Sequence, residues 1–160
     1  QIGGQIAQST QHLVHVGQSV TQSVGARTSE LVSTAIGFLG VPYRFGGNTA
    51  ESGFDCSGFV RSVFKDAVGF VLPRSSVEQA NATLRIDKDE LKAGDLVFFN
   101  TMKRAFSHVG VYLGEGKFIH SPRAGGQVRV EDMRVPYWNV RFDGARRVQT
   151  AALQTSQKPE

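Results

Sequence analysis

The stretch Gly53-Phe54-Asp55-Cys56-Ser57-Gly58-Phe59-Val60 decides how the chain is read, because it holds the only cysteine and passes from a glycine-bearing loop into a helix. Phe59, Val60, Val63 and Phe64 recur with the spacing of one helical face, which predicts Cys56 at or just before the helix N-terminus. There the helix macrodipole favours a thiolate over a thiol. A thiol of pKa about 8.5 can fall to roughly 3.5–7.5 in such a place, and only the ionised form attacks well. A lone cysteine in an arbitrary chain is more often a small buried hydrophobe. Two histidines further along shift the balance toward a nucleophile.

Upstream of this stretch, Tyr43-Arg44-Phe45-Gly46-Gly47-Asn48 reads as a loop, preceded by a helical stripe of Leu31, Val32, Ala35, Ile36 and Leu39. Ser29 is the expected N-cap of that helix, with Gly40 and Pro42 as its stop. Residues 1–28 are rich in Gln, Ser, Thr and Gly and nearly uncharged, and read as an N-terminal extension or linker. Its His12 and His15 lack a third ligand and read as surface residues. Downstream, Ser75 and Glu78 have the spacing of a capping box.

Beyond Gly94 the periodicity changes. Asp95–Phe99, His108–Leu113, Lys117–Ser121, Gln127–Val130 and Arg141–Val148 are short runs rich in Val, Phe and Ile, divided by Gly, Pro and charged turns. Helices first and strands second predict an α+β domain over residues 29–148, its N-terminal helices packed on a central antiparallel sheet. Residues 149–160 read as a C-terminal tail.

A chain of 160 residues, 40% hydrophobic and 20% charged, has the composition of one globular domain. A single cysteine closes no intrachain disulfide, so the fold rests on its core. No run approaches the roughly 18 apolar residues of a membrane span. No signal peptide is visible, and a start at Gln1 suggests a processed or engineered fragment. The net charge of +4 suits nucleic acid, anionic lipid or an acidic polymer such as bacterial cell wall. The basic residues are scattered and not interleaved with aromatic ones, which argues against nucleic acid.

His108-Val109-Gly110-Val111-Tyr112-Leu113 and Lys117-Phe118-Ile119-His120-Ser121 flank Gly114-Glu115-Gly116, read as a three-residue hairpin loop. Pairing Leu113 with Lys117 puts Gly110 opposite His120 and His108 on the same face, one diagonal step away. Such neighbours lie about 7–8 Å apart at Cα, within reach of two imidazoles. His120 can then bond one ring nitrogen of His108 and leave the other free. Nucleophilic cysteine catalysis needs this set: a thiol, a histidine to take and return its proton, and a third polar group to fix that histidine's tautomer.

Pro42-Tyr43-Arg44-Phe45-Gly46-Gly47, Asp55-Cys56-Ser57-Gly58-Phe59-Val60, Leu91-Lys92-Ala93-Gly94-Asp95-Leu96-Val97-Phe98-Phe99, Ser107-His108-Val109-Gly110-Val111-Tyr112 and Phe118-Ile119-His120, in this order, resemble the NlpC-type cell-wall peptidases. The resemblance covers about residues 29–148 and implies a papain-like fold. It implies hydrolysis of amide bonds in peptidoglycan stem peptides, commonly next to diaminopimelate, without a metal or cofactor. It further implies Cys56 as nucleophile, His108 as general base and acid, and His120 as the orienting residue. Tyr43 falls beside the nucleophile, where its hydroxyl and the Cys56 backbone N–H can hold an oxyanion. Asp55 and Ser57 match groove positions, Asp55 serving equally well as a helix cap, and Arg74 in Leu72-Pro73-Arg74-Ser75-Ser76 is chemically suited to substrate carboxylates. By the same resemblance the site of action is the cell envelope, periplasmic or secreted, with other cell-wall proteins as possible partners. The competing functions are an amidase or acyltransferase on the same scaffold, a zinc site built from Cys56, His108 and His120, and a non-catalytic cell-wall binding or adaptor module.

Overall fold

The structure, a computed structural model, describes residues 27–149. The extension with His12 and His15 and the C-terminal tail fall outside the described residues. Helix α1 occupies residues 27–37, so Ser29 lies inside it and is not its cap. Its buried stripe is narrower than the sequence pattern suggests: Leu31 and Ala35 are buried, whereas Ile36 and Leu39 are largely exposed, and Phe38 in the turn beyond supplies the next core contact.

Helix α2, Cys56–Val68, forms the axis of the main core. Its Phe59, Val60, Val63 and Phe64 are fully buried, as their spacing predicts. Asp55 caps it by accepting from the Gly58 N–H at 2.7 Å, and Gly69 ends it in the left-handed conformation. Such an N-cap typically contributes about 1 kcal/mol. The loop before it carries the short strands β1, Asn48–Thr49, and β2, Gly53–Phe54. A Cβ at Gly58 would collide with the Gly47 carbonyl, so the glycine lets the loop lie directly on the helix start. Helix α3, Ser76–Asn81, begins with the expected capping box between Ser75 and Glu78.

Six antiparallel strands form the central sheet in the order β3-β8-β4-β5-β6-β7. They are β3, Leu84–Ile86; β4, Leu96–Phe99; β5, His108–Gly114; β6, Lys117–His120; β7, Arg129–Asp132; and β8, Phe142–Arg147. The Gln127–Val130 run is strand only from Arg129, and it extends to Asp132. Strands β1 to β3 carry no alternating pattern, and helix α4, Pro136–Arg141, has no buried residue but Trp138. Both were therefore invisible to periodicity, although Pro136 at the first turn is a start signal. Strand β8, between β3 and β4, is tied to the start of β4 by Arg147, which donates to both carboxylate oxygens of the buried Asp95 at 2.9 and 2.8 Å.

Strand alternation divides the interior in two. Leu96, Phe98, Val109, Val111 and Ile119 pack with α2 in the main core. Val97, Phe99 and Phe118 pack on the other face with Met133 and Trp138. The β5–β6 register is as expected through Val111↔Ile119 and Tyr112↔Phe118, but Gly114 pairs with Lys117, leaving a two-residue turn of Glu115 and Gly116, both at positive φ, and a local bulge. The three-residue loop is thereby corrected. The bulge absorbs the odd residue so that the register next to the histidines is kept.

Gly110 sits where that register is tightest. A Cβ there would stand 2.8 Å from the Phe118 ring and 3.1 Å from the His120 Cβ. Gly110→Ala is expected to destabilise the fold by about 1–3 kcal/mol, the usual cost of overpacking. Urea unfolding checks this, and an unchanged midpoint would contradict the tight register.

Candidate active site

Cys56 is the first residue of α2, so its backbone N–H has no intrahelical acceptor. His108 opens β5 and His120 closes β6. The two imidazoles meet as the hairpin geometry predicts, His108 Nε2 lying 2.7 Å from His120 Nδ1. Both are almost wholly buried, at 3% and 0% exposure. Trp138 from α4 stacks along His108 at 5.8 Å and meets His120 edge-on at 5.2 Å, with Phe99 and Phe118 closing the aromatic box.

Beyond His120 the chain of bonds continues to a residue that no sequence signal marked. Glu131 on β7 places Oε2 3.0 Å from His120 Nε2 and accepts from Trp138 Nε1–H on Oε1 at 3.0 Å. Glu131 sits in a strand of unremarkable pattern, and only the pairing His120↔Arg129 and Ile119↔Val130 brings it alongside. A hydrogen-bonded partner for a buried imidazole is required physically, but its position in sequence is not.

Cys56, His108, Tyr43, Asp55, Ser57 and Arg74 line one cleft of about 670 Å³, together with Trp138, Arg104 and Arg123. Phe45 stands at its rim, 89% exposed. Three of the residues expected to meet substrate are bonded to one another. Arg74 spans both Asp55 oxygens at 3.1 and 3.0 Å and reaches the Ser57 hydroxyl at 2.9 Å, while Asp55 also caps α2 and accepts from the Gly46 N–H. The Asp55 charge is thus neutralised within the cleft wall. Gln79 from α3 supports the same corner, donating to the Ser57 and Pro73 carbonyls. On the far side, Ser121 donates to the Phe54 carbonyl at 2.8 Å, tying the end of β6 to the residues before Cys56.

Burial governs the protonation states. It pushes the Cys56 thiol up to about 11, outweighing the backbone N–H groups of Val109 and Ser57 that favour the thiolate. The lowered thiol pKa expected from the helix N-terminus is thereby corrected: desolvation exceeds the macrodipole. Burial also holds His108 well below its ordinary value, assisted by His120, and lowers His120 despite the neighbouring Glu131. Glu131 is driven down to about 2, chiefly by its bond to His120. At neutral pH the group is therefore a neutral thiol, two neutral imidazoles and one carboxylate. Such a set can move a proton from sulfur to imidazole as attack proceeds. A zinc site is not what this geometry offers, because facing ring nitrogens 2.7 Å apart share a proton and not a metal.

The NlpC/P60 family model matches residues 40–147. The chain belongs to the NlpC/P60 family. Over 115 residues it is 46% identical to the murein DD-endopeptidase MepH of Escherichia coli K12, covering 70% of this chain and 42% of that protein. Over 118 residues it is 42% identical to the gamma-DL-glutamyl hydrolase of Bacillus subtilis 168, covering 73% of this chain and 28% of that one. The chain thus spans less than half the length of either relative. A crystal structure of an NlpC/P60 family protein from Bacillus cereus ATCC 10987 superposes with a TM-score of 0.71 at 38% identity, covering 77% of this chain and 40% of that one. The α+β architecture of this NlpC/P60 domain is papain-like. Among the described residues no helix is long and apolar enough to cross a membrane.

A thiol held near pKa 11 alkylates through a small thiolate fraction. The iodoacetamide rate at Cys56, followed by mass spectrometry, is expected to climb steadily from pH 7 to pH 10. A plateau already reached below pH 7 would show a preformed thiolate and contradict the burial argument.

Proposed function

We propose that this NlpC/P60 domain is a thiol-dependent peptidoglycan hydrolase, an endopeptidase that cleaves amide bonds in cell-wall stem peptides next to diaminopimelate. The observation that carries the proposal is that Cys56 and His108 line one cleft while His108 is bonded to a buried second imidazole, in a chain whose relatives are named murein endopeptidase and glutamyl hydrolase.

In this account His108 Nδ1, the ring nitrogen not bonded to His120, takes the Cys56 proton as sulfur attacks the amide carbonyl. The resulting oxyanion is held by the Cys56 N–H and the Tyr43 hydroxyl. Protonated His108 then gives its proton to the leaving amine, the C–N bond breaks, and a thioester remains on Cys56. Water attacks the thioester with His108 accepting its proton, releasing the carboxylic acid and restoring the thiol. Because thiol and imidazole both start neutral, proton transfer accompanies attack, and the imidazolium exists only while Glu131 and His120 support it.

The charges lining the cleft favour an anionic substrate. Asp55 is neutralised by Arg74, whereas Arg104 and Arg123 line the cleft with no carboxylate partner among the described residues. Stem peptides carry free carboxylates that suit those two cations. Arg74, Asp55 and Ser57 then serve as the shaped floor beside the nucleophile. The site of action is the cell envelope, periplasmic or secreted.

Cys56→Ala is expected to abolish cleavage of purified muropeptides, read by mass analysis of the products, while binding stays measurable. Turnover at the wild-type rate would refute the nucleophile. Tyr43→Phe is expected to lower kcat by on the order of 10²–10³-fold, the usual cost of one oxyanion donor. An unchanged kcat would remove Tyr43 from that role.

A further inference from the structure

We propose that Glu131 is a positioning residue that sets the direction of every proton along the buried chain Glu131–His120–His108, and thereby gives His108 the tautomer needed to act as a base toward Cys56. The proposal rests on the reading of Cys56 and His108 as nucleophile and base.

The donor and acceptor capacities of the three groups fix the direction of each bond. Two neutral imidazoles joined by one hydrogen bond can be arranged in two ways. In one, His108 Nε2–H donates to the His120 Nδ1 lone pair, so His108 Nδ1 carries a lone pair and can accept a proton. In the other, His120 Nδ1–H donates to the His108 Nε2 lone pair, so His108 Nδ1 already carries a proton and cannot accept one. The 2.7 Å separation fits both equally.

Glu131 breaks the tie. An ionised carboxylate only accepts, so the contact at 3.0 Å requires His120 to carry its proton on Nε2. A neutral His120 then presents a lone pair at Nδ1, His108 must carry its proton on Nε2, and His108 Nδ1 is left as a lone pair. One acceptor on β7 thus selects the reactive arrangement two rings away. Trp138 holds that acceptor in place, donating Nε1–H to Oε1 at 3.0 Å, and Arg129 approaches Oε2 at 3.4 Å from the solvent side.

Glu131→Gln exchanges a pure acceptor for a group that can also donate. Trp138 Nε1–H is donor-only and belongs to a residue only 7% exposed, so the amide oxygen of Gln should remain against it. Arg129, with 54% of its side chain exposed, can turn to water. The amide NH₂ then faces His120 Nε2, which must become an acceptor, and both imidazoles are driven into the unreactive arrangement. Removing the Trp138 donor as well lets the amide turn its oxygen to His120. A merely structural role for Glu131 predicts no such rescue.

The experiment uses the full chain with ¹⁵N-labelled histidine. In the wild type, long-range ¹H–¹⁵N spectra should show protons on Nε2 of both His108 and His120; a proton on His108 Nδ1 would overturn the proposal, and this measurement needs no variant to fold. Glu131→Gln should exchange the tautomers and lower kcat on muropeptides by on the order of 10²–10⁴-fold with KM little changed, a wrong-tautomer loss. Glu131→Gln/Trp138→Phe should restore the original tautomers and regain at least about tenfold in kcat. Wild-type kcat and unchanged tautomers in Glu131→Gln would overturn the proposal, as would a double variant no more active than Glu131→Gln. Failure of the nucleophile reading is separable, because it would appear as turnover by Cys56→Ala while leaving the tautomer spectra as described.

Discussion

The hydrogen bond between His108 and His120 is the interaction on which the rest of the site depends. It is made between two rings that water barely reaches, and it exists because the β5–β6 register puts both on one face of one hairpin. The register in turn rests on Gly110, which leaves room for the Phe118 ring and His120, and on the bulge at Gly114, which keeps the turn from shifting the pairing by one residue. A one-residue slip would send His120 into the main core and Ile119 into the aromatic box. The geometry of the imidazole pair is thus a property of backbone pairing, not of flexible side chains.

Burial has two consequences that work together. It withdraws charge from Cys56, His108 and His120, so of the thiol, the two imidazoles and the carboxylate bonded to them only Glu131 is charged at rest. It also strengthens each hydrogen bond that remains, since water does not compete for it. The aromatic walls of Phe99, Phe118 and Trp138 supply that dry surrounding, and Trp138 adds a donor that holds the single carboxylate. The second, smaller core is therefore both packing and the electrostatic environment of the imidazoles.

Much of this was legible in the sequence. The α2 stripe, the Ser75 capping box and the pairing of His108 with His120 all follow from local periods and turn chemistry, which act over a few residues. What escaped depends on partners distant in sequence. Leu84–Ile86 is a strand only because β8 pairs with it, and Trp138 matters only because α4 folds its indole against two histidines from other strands. Glu131 became visible only once β7 lay beside β6. The pKa of Cys56 went the opposite way from the helix-dipole argument because enclosure by the surrounding fold outweighs a partial charge at one helix end. Arg74, suited on chemical grounds to substrate carboxylates, is held by Asp55 and Ser57 and supplies no free cation, a pairing that separate motifs do not reveal.

On the proposed mechanism, the sulfur of Cys56 becomes covalently bonded to substrate while this buried pair carries its proton. Rapid acid quenching of the wild-type chain with an equimolar stem peptide, followed by peptide mass mapping, tests it directly. The Cys56 peptide is expected to gain the mass of the acyl fragment before the acid product is released. Product forming at full rate while Cys56 stays unmodified at every time point would contradict it.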